Sequence, residues 1–230
     1  MYREEVAEFI SEKDRHRLRV GDEWIQTRTV IVCSGASRRK LEIKGEEELF
    51  GRGVSYCALC DGNFLRNEDV VAIGGGNSAL EEALYLARLV NKVYLVHRRD
   101  KFRGVQHYID KVLAEPRIEI LYDTIPLQFL GTDGLTGVEV ENVHTKKRQQ
   151  INARGAFIFI GTRGQTSFLP ATFQKDTEGF LITDDKMATN VKGVFAAGDC
   201  RAKSCRQIAN AVGDGAVAAH SVSTFLDEHE

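Results

Sequence analysis

No stretch of this 230-residue chain approaches the ~20 consecutive apolar residues that a membrane-spanning helix needs. Charge of one sign is also lacking. Thirty-one lysines and arginines stand against 33 aspartates and glutamates, a formal net charge of -2. No basic face is on offer, so nucleic acid is not expected as a partner. The opening residues Met1-Tyr2-Arg3-Glu4-Glu5 are charged where a signal peptide turns apolar. Repeats of solenoid length and low-complexity segments are absent. These absences describe a soluble, cytoplasmic protein with no membrane partner. Cysteines are few and odd in number, five in all. A chain of this size needs no disulfide staples, so in a reducing compartment the cysteines read as redox, metal or core residues. What is present is apolar content of 43%, enough for a buried core and far from a disordered composition.

Residues 6–20 read as a polar, edge-like strand pair. Thr29-Val30-Ile31-Val32-Cys33 reads as a buried strand closed by the turn Ser34-Gly35-Ala36-Ser37. The clearest stretch follows a loop-rich crossing at 41–56. Asp69-Val70-Val71-Ala72-Ile73 is a buried strand, and Gly74-Gly75-Gly76 follows it directly. Ala79, Leu80, Ala83, Leu84, Ala87 and Val90 then recur at a helical period, and Val93-Tyr94-Leu95-Val96 is a second strand. This is a βαβ unit, the seed of a parallel sheet. A helix near 105–114 and a strand at 117–122 extend it. Residues 125–160 read as a β-meander with turns at Gly131–Gly134 and Lys146-Lys147-Arg148, and Ala156-Phe157-Ile158-Phe159-Ile160 as its last strand. Phe180–Thr183 and Val194–Ala197 read as short strands. Residues 206–226 read as a long helix carrying Ile208, Ala211, Val212, Ala216, Ala219, Val222 and Phe225. Junctions near residue 40 and at Gly161-Thr162-Arg163-Gly164 divide the chain into 1–40, 41–160 and 161–230.

Gly74-x-Gly76-x-x-Ala79 matches the dinucleotide fingerprint G-x-G-x-x-G/A in its required setting, after a strand and at the start of a helix. The first glycine makes the tight turn. The second admits the pyrophosphate, whose charge rests on the helix N-terminus. An NAD site usually ends the second strand with a carboxylate that accepts from the ribose 2′-OH. This chain has His97-Arg98-Arg99 there, and Arg103 a turn later. Guanidinium groups fork a 2′-phosphate that a carboxylate would repel, so NADPH is favoured over NADH.

Cys57-Ala58-Leu59-Cys60-Asp61-Gly62 is the chemical centre of the sequence. Two thiols separated by two residues at the start of a helical turn can close a small disulfide ring, and a helix N-terminus favours the attacking thiolate. Asp61 is an acid beside them that can handle protons. Zinc is the competing reading of C-x-x-C, but it needs a second ligand pair, and Cys200 and Cys205 are spaced too widely for one. Cys33, Cys200 and Cys205 are expected to be plain residues, with Cys33 a small core side chain.

Taken together, these residues resemble the low-molecular-weight thioredoxin reductases, the class II pyridine nucleotide-disulfide oxidoreductases. The match runs from Gly51-Arg52-Gly53-Val54-Ser55 through Cys57–Gly62, Ile73–Ala83 and His97–Arg103. It ends in Gly193-Val194-Phe195-Ala196-Ala197-Gly198-Asp199 and Arg206-Gln207-Ile208. The resemblance implies an α/β fold of two Rossmann-like three-layer domains, with an NADPH domain at 41–160 inserted into a discontinuous FAD domain. It implies hydride transfer from NADPH to FAD, then electron transfer to a Cys57–Cys60 disulfide. Cys60 would face the flavin, Cys57 would attack a thioredoxin-like protein, and Asp61 would be the acid. Gly74, Gly75, Gly76, Asn77, Ser78 and Ala79 with Arg98, Arg99 and Arg103 would hold NADPH. Gly35, Ala36, Gly198, Asp199, Arg206, Gln207 and Ile208 would hold FAD. A homodimer, and a domain rotation hinged near residues 40 and 161, are implied as well.

The sequence departs from the family in two places. The family's first fingerprint, a G-x-G-x-x-G turn for FAD, is absent, so the chain reads as an N-terminally truncated member. By itself it is expected to bind NADPH, to hold FAD weakly or not at all, and to expose apolar surface and unpaired strand groups. Gly164-Gln165 also stands where a Pro-Asn pair is expected. Two other functions fit the same residues: the flavoprotein part of a peroxiredoxin-coupled disulfide reductase, and a non-catalytic NADPH-binding module that has lost FAD.

Overall fold

The computed structural model describes residues 4–12 and 15–229. Three antiparallel strands come first, β1 (Val6–Ser11), β2 (His16–Val20) and β3 (Glu23–Thr27). The expected pair is thus a meander. Its third strand leaves a two-residue turn in which Gly21 takes φ +57°, a conformation that suits glycine. Next come β4 (Val30–Val32), β5 (Ala36–Arg38) and β6 (Val54–Ser55), then the short helix α1 (Ala58–Asp61). The βαβ unit is β7 (Asp69–Gly74), α2 (Asn77–Ala87) and β8 (Lys92–Val96). It continues through α3 (Gln106–Ala114) and β9 (Ile118–Leu121). An antiparallel sheet of β10 (Thr124–Leu130), β11 (Gly137–Asn142) and β12 (Arg148–Asn152) precedes β13 (Gly155–Phe159). The chain closes with β14 (Thr162–Gly164), β15 (Val194–Ala196) and α4 (Ile208–Asp227).

These elements form two compact units. One is Arg39–Gly161, and the other is the chain up to Arg38 and from Thr162 onward. At the centre of the Arg39–Gly161 unit is a parallel sheet in the order β6-β13-β7-β8-β9. One face carries Leu80, Ala83, Leu86, Leu95 and Phe157, and the other Leu49, Val71, Ile73, Val138 and Ile158. Here the expected meander is corrected. Its last strand, β13, does not join β12 but inserts between β6 and β7. The reason is visible in its residues: Gly155 to Ile158 are all buried, the run of a strand covered on both faces.

The second unit is built on smaller sheets. β15 pairs in parallel with β4, and β14 antiparallel with β5. Phe180–Thr183, expected as a strand, makes only isolated bridges through Leu181, to Lys175 and Arg201. The strand expected to be buried at Thr29–Cys33 buries Val32, but Ile31 and Cys33 are exposed. The long helix is likewise more open than its apolar face implied. Ile208 and Val212 are exposed to 84% and 68%, while Ala218 is its one buried residue. Val222 and Phe225 pack near Phe195 and Ala197. β4 pairs with β15 alone, and α4 packs on β15 and the turn that follows it. Among the described residues no helix is long and apolar enough to cross a membrane.

Candidate functional site

Cys57 leaves the sheet directly after β6 and caps α1. Its extended backbone, φ -141° and ψ 100°, turns the chain so that the Cys60 N–H donates to Cys57 Sγ at 3.1 Å. The two sulfurs form a disulfide, with Cα atoms 5.3 Å apart. Cys57 is half-buried and Cys60 exposed. Asp61, the last residue of α1, is held beside the pair. Its N–H donates to Cys57 O at 3.1 Å, and its Oδ2 accepts from Ser55 Oγ at 2.5 Å. Glu82 on α2 is a carboxylate that motif reading passed over. Burial, then the charge of Glu81, pushes its carboxyl above the usual range, against the hydrogen bond it has with the Ala58 backbone. The site is therefore a disulfide with one carboxylate hydrogen-bonded beside it and a second against the backbone between its cysteines. Such a site can exchange a disulfide and move protons.

The remaining cysteines are separate from this site. Cys200 is buried, with Sγ on Val32 O at 3.2 Å and Ala197 O at 3.3 Å, and burial pushes its thiol up. A buried thiol of that kind is a core residue and a poor nucleophile. Cys205 is exposed, with Sγ 3.2 Å from Asn210 Oδ1. Cys33, expected in the core, is exposed.

The glycine turn has the shape its motif requires. Gly74 takes φ +156°, and a Cβ there would lie 2.5 Å from Phe159 O and 2.7 Å from Ala79 Cβ. At Gly75 a Cβ would strike the His97 ring at 2.2 Å, whereas at Gly76 it would meet nothing within 4 Å. The second fingerprint glycine thus faces open space, and α2 begins at once with Asn77, Ser78 and Ala79. First-turn amides have no partner within a helix, so this cradle suits a phosphate. The basic loop is tied to the same turn. Arg103 N–H donates to Gly75 O at 2.8 Å, and the ring nitrogens of buried His97 lie 3.0 Å from Gly74 O and 2.9 Å from Lys101 O. Arg98, Arg99 and Arg103 are exposed beside it. Open cradle and three guanidinium groups fit a dinucleotide with a 2′-phosphate.

In the other unit, the residues assigned to FAD gather at the ends of β4 and β15. Gly35, at φ +75°, has nothing within 4 Å of a Cβ position. Ser34 Oγ and Asp199 Oδ1 are buried without a hydrogen-bond partner, Lys203 Nζ lying 3.9 Å from the latter. Two orphaned polar atoms beside an open glycine fit the hydroxyl and phosphate groups of a flavin nucleotide. Gly198, at φ +78°, donates its N–H to Asp214 Oδ2 at 3.0 Å. The Arg206 guanidinium stacks on Phe180 at 3.6 Å and bonds Asp199 O and Arg201 O. Gln207 caps α4, and Ile208 begins it fully open to solvent. Ala36 is half-buried and engaged in the β5–β14 ladder through Gly164. Sequence motifs gave no sign of Asp214, because it lies within a helix and its partners come from the turn after β15.

Comparisons with known proteins agree with this geometry. The pyridine nucleotide-disulphide oxidoreductase family model matches residues 1–215. A thioredoxin reductase of Treponema pallidum is 43% identical over 199 residues, 86% of this chain and 64% of the relative. One of Listeria innocua is 39% identical, covering 97% of this chain and 70% of the relative. The chain thus spans about two thirds of the length of these relatives. The crystal structure of thioredoxin reductase from Streptococcus pyogenes superposes with a TM-score of 0.93 at 38% identity, over 98% of this chain and 74% of that one. Thioredoxin reductase from Giardia duodenalis gives 0.93 at 36% identity, over 97% and 74%. These likenesses bear out the Rossmann-like α/β fold expected from the sequence, and the chain belongs to the thioredoxin reductase family of pyridine nucleotide-disulphide oxidoreductases.

Proposed function

We propose that this chain is the disulfide-reducing part of an NADPH-dependent flavoprotein, with Cys57–Cys60 as its redox centre and a thioredoxin-like protein as its partner. One observation carries the reading. A closed Cys57–Cys60 disulfide with Asp61 at hand lies in the same unit as a dinucleotide turn flanked by three arginines. The names of the relatives support the partner. A cytoplasmic homodimer is part of the same proposal.

The Arg39–Gly161 unit is the NADPH domain, and the remainder is FAD domain. Gly74–Ala79 receive the pyrophosphate, and Arg98, Arg99 and Arg103 select the 2′-phosphate. Gly35, Ala36, Gly198, Asp199, Arg206, Gln207 and Ile208 form one wall of the FAD site. When bound, the nicotinamide supplies a hydride and the flavin converts it to electrons that a disulfide can accept. The protein residues do the rest. Once the Cys57–Cys60 bond is open, Cys57 thiolate attacks one sulfur of the partner's disulfide. A bond forms between Cys57 and that sulfur, and the partner's second sulfur leaves as a thiolate that takes a proton from Asp61. Cys60 then gives its proton to the Asp61 carboxylate and attacks Cys57 Sγ as a thiolate, which restores the intramolecular bond and releases the first partner sulfur as a thiolate that takes a proton from solvent. Two electrons have moved from the cysteine pair to the partner.

Nucleotide choice tests the reading in the chain as it stands. NADPH should bind at least about tenfold tighter than NADH by nucleotide fluorescence, as charge-assisted contacts to a 2′-phosphate require. Arg98→Ala with Arg99→Ala should erase that preference. Equal affinity of the unaltered chain for both nucleotides overturns the assignment.

A further inference from the structure

Ser55 ends β6 and is 5% exposed. Its backbone pairs with Phe157 of the inner strand β13, so its hydroxyl starts from a fixed point. Ser55 Oγ lies 2.5 Å from Asp61 Oδ2, 3.0 Å from Cys57 N and 3.4 Å from Cys57 O. A hydroxyl has one proton to give and lone pairs to receive. The shortest contact takes that proton, so Ser55 donates to the Asp61 carboxylate and accepts from the Cys57 N–H. The hydroxyl therefore links the carboxylate to the backbone of the residue that carries the sulfur. Asp61 N–H on Cys57 O closes the same small loop from the other side.

We propose that Ser55 is a positioning residue for disulfide exchange: by engaging Asp61 Oδ2 it fixes the carboxyl group, so that the other oxygen carries the proton delivered to the departing thiolate. The proposal rests on the reading of Asp61 as the acid. It follows the exchange written above: the bond formed is Cys57–S, the bond broken is the partner's S–S, and the proton goes from Asp61 to the departing sulfur. A leaving thiol of low pKa departs as a stable thiolate and needs no such proton, whereas an alkyl thiolate does. The contribution of Ser55 should therefore depend on the leaving group, which the contribution of a residue that only supports folding should not.

The chain is reduced with dithiothreitol and desalted. Its exchange rate is then measured against hydroxyethyl disulfide, which releases an alkyl thiolate, and against dithiobis(nitrobenzoate), which releases an acidic aryl thiolate. Ser55→Ala should slow the alkyl reaction about tenfold and the aryl reaction by less than about twofold, the size expected for one lost hydrogen bond to a charged group. Ser55→Thr, which keeps the hydroxyl, should restore the alkyl rate. Asp61→Asn should show the same leaving-group dependence, and Ser55→Ala added to it should slow exchange no further. If Ser55→Ala leaves both rates alone or slows both equally while Asp61→Asn keeps the dependence, the role given to Ser55 is overturned and that of Asp61 stands. If Asp61→Asn shows no dependence on the leaving group, the acid assignment itself is overturned.

Discussion

Gly75 shows how much chemistry one missing Cβ can hold. It is the middle glycine, outside the spaced fingerprint, yet the His97 ring occupies the place its side chain would fill. His97 in turn reaches Gly74 O and Lys101 O, joining the phosphate turn to the arginine loop. Gly75→Ala must displace that ring and should cost about 1–3 kcal/mol, the usual penalty of overpacking. Gly76→Ala meets only open space. It should leave the urea midpoint close to that of the parent and still weaken NADPH, because its methyl group stands where the pyrophosphate must approach. Urea unfolding and nucleotide fluorescence on both variants check the contrast. At this scale the sequence was only partly readable. Gly74, Gly76, Cys57 and Cys60 announce themselves by spacing. Ser55, Glu82 and the packing of His97 on Gly75 depend on neighbours brought together by the fold.

Among the elements, α4 is held to the turn after β15 by a charged cluster. Asp214 takes hydrogen bonds from Lys203 Nζ at 2.9 Å and the Gly198 N–H at 3.0 Å, and pairs with Arg201 Nη1 at 2.8 Å. Burial alone would raise its carboxyl, but the hydrogen bonds of Lys203, Arg201 and Gly198 outweigh burial and hold it below the usual carboxylate range. A folded value below the unfolded one means that the ionised form stabilises the fold. That contribution is present above the unfolded value and is lost as pH falls through the folded one. Asp214→Asn should therefore destabilise the chain at pH 7 by about 2–4 kcal/mol, as expected on breaking a buried pair. The gap to the parent should begin to narrow as pH falls below roughly 4, the ordinary carboxylate value, and close only below the lower folded value. Denaturation midpoints across pH measure both effects. Element type was readable wherever the hydrophobic period was long, as in β7, α2 and β8. It was not readable where partners decide. β13 follows the meander in sequence but pairs with β6 and β7, and Phe180–Thr183 has strand-like residues without a ladder to join.

At the scale of the whole molecule, the two units differ in how their sheets are built. The sheet of Arg39–Gly161 is covered on both faces. The other unit is built on two- and three-stranded sheets, leaves Ile31, Ile208 and Val212 in solvent, and leaves Ser34 Oγ and Asp199 Oδ1 without a hydrogen-bond partner. These exposed apolar residues and orphaned atoms are why flavin must be supplied in excess when the central claim is tested. That claim is that electrons from NADPH open the Cys57–Cys60 bond. The chain is incubated with saturating FAD and NADPH, quenched in acid, alkylated, and read by mass spectrometry for labels on each cysteine. Both Cys57 and Cys60 should gain a label with NADPH, and far less with the same concentration of NADH. A bound flavin that NADPH bleaches while the Cys57–Cys60 bond stays closed would contradict the account.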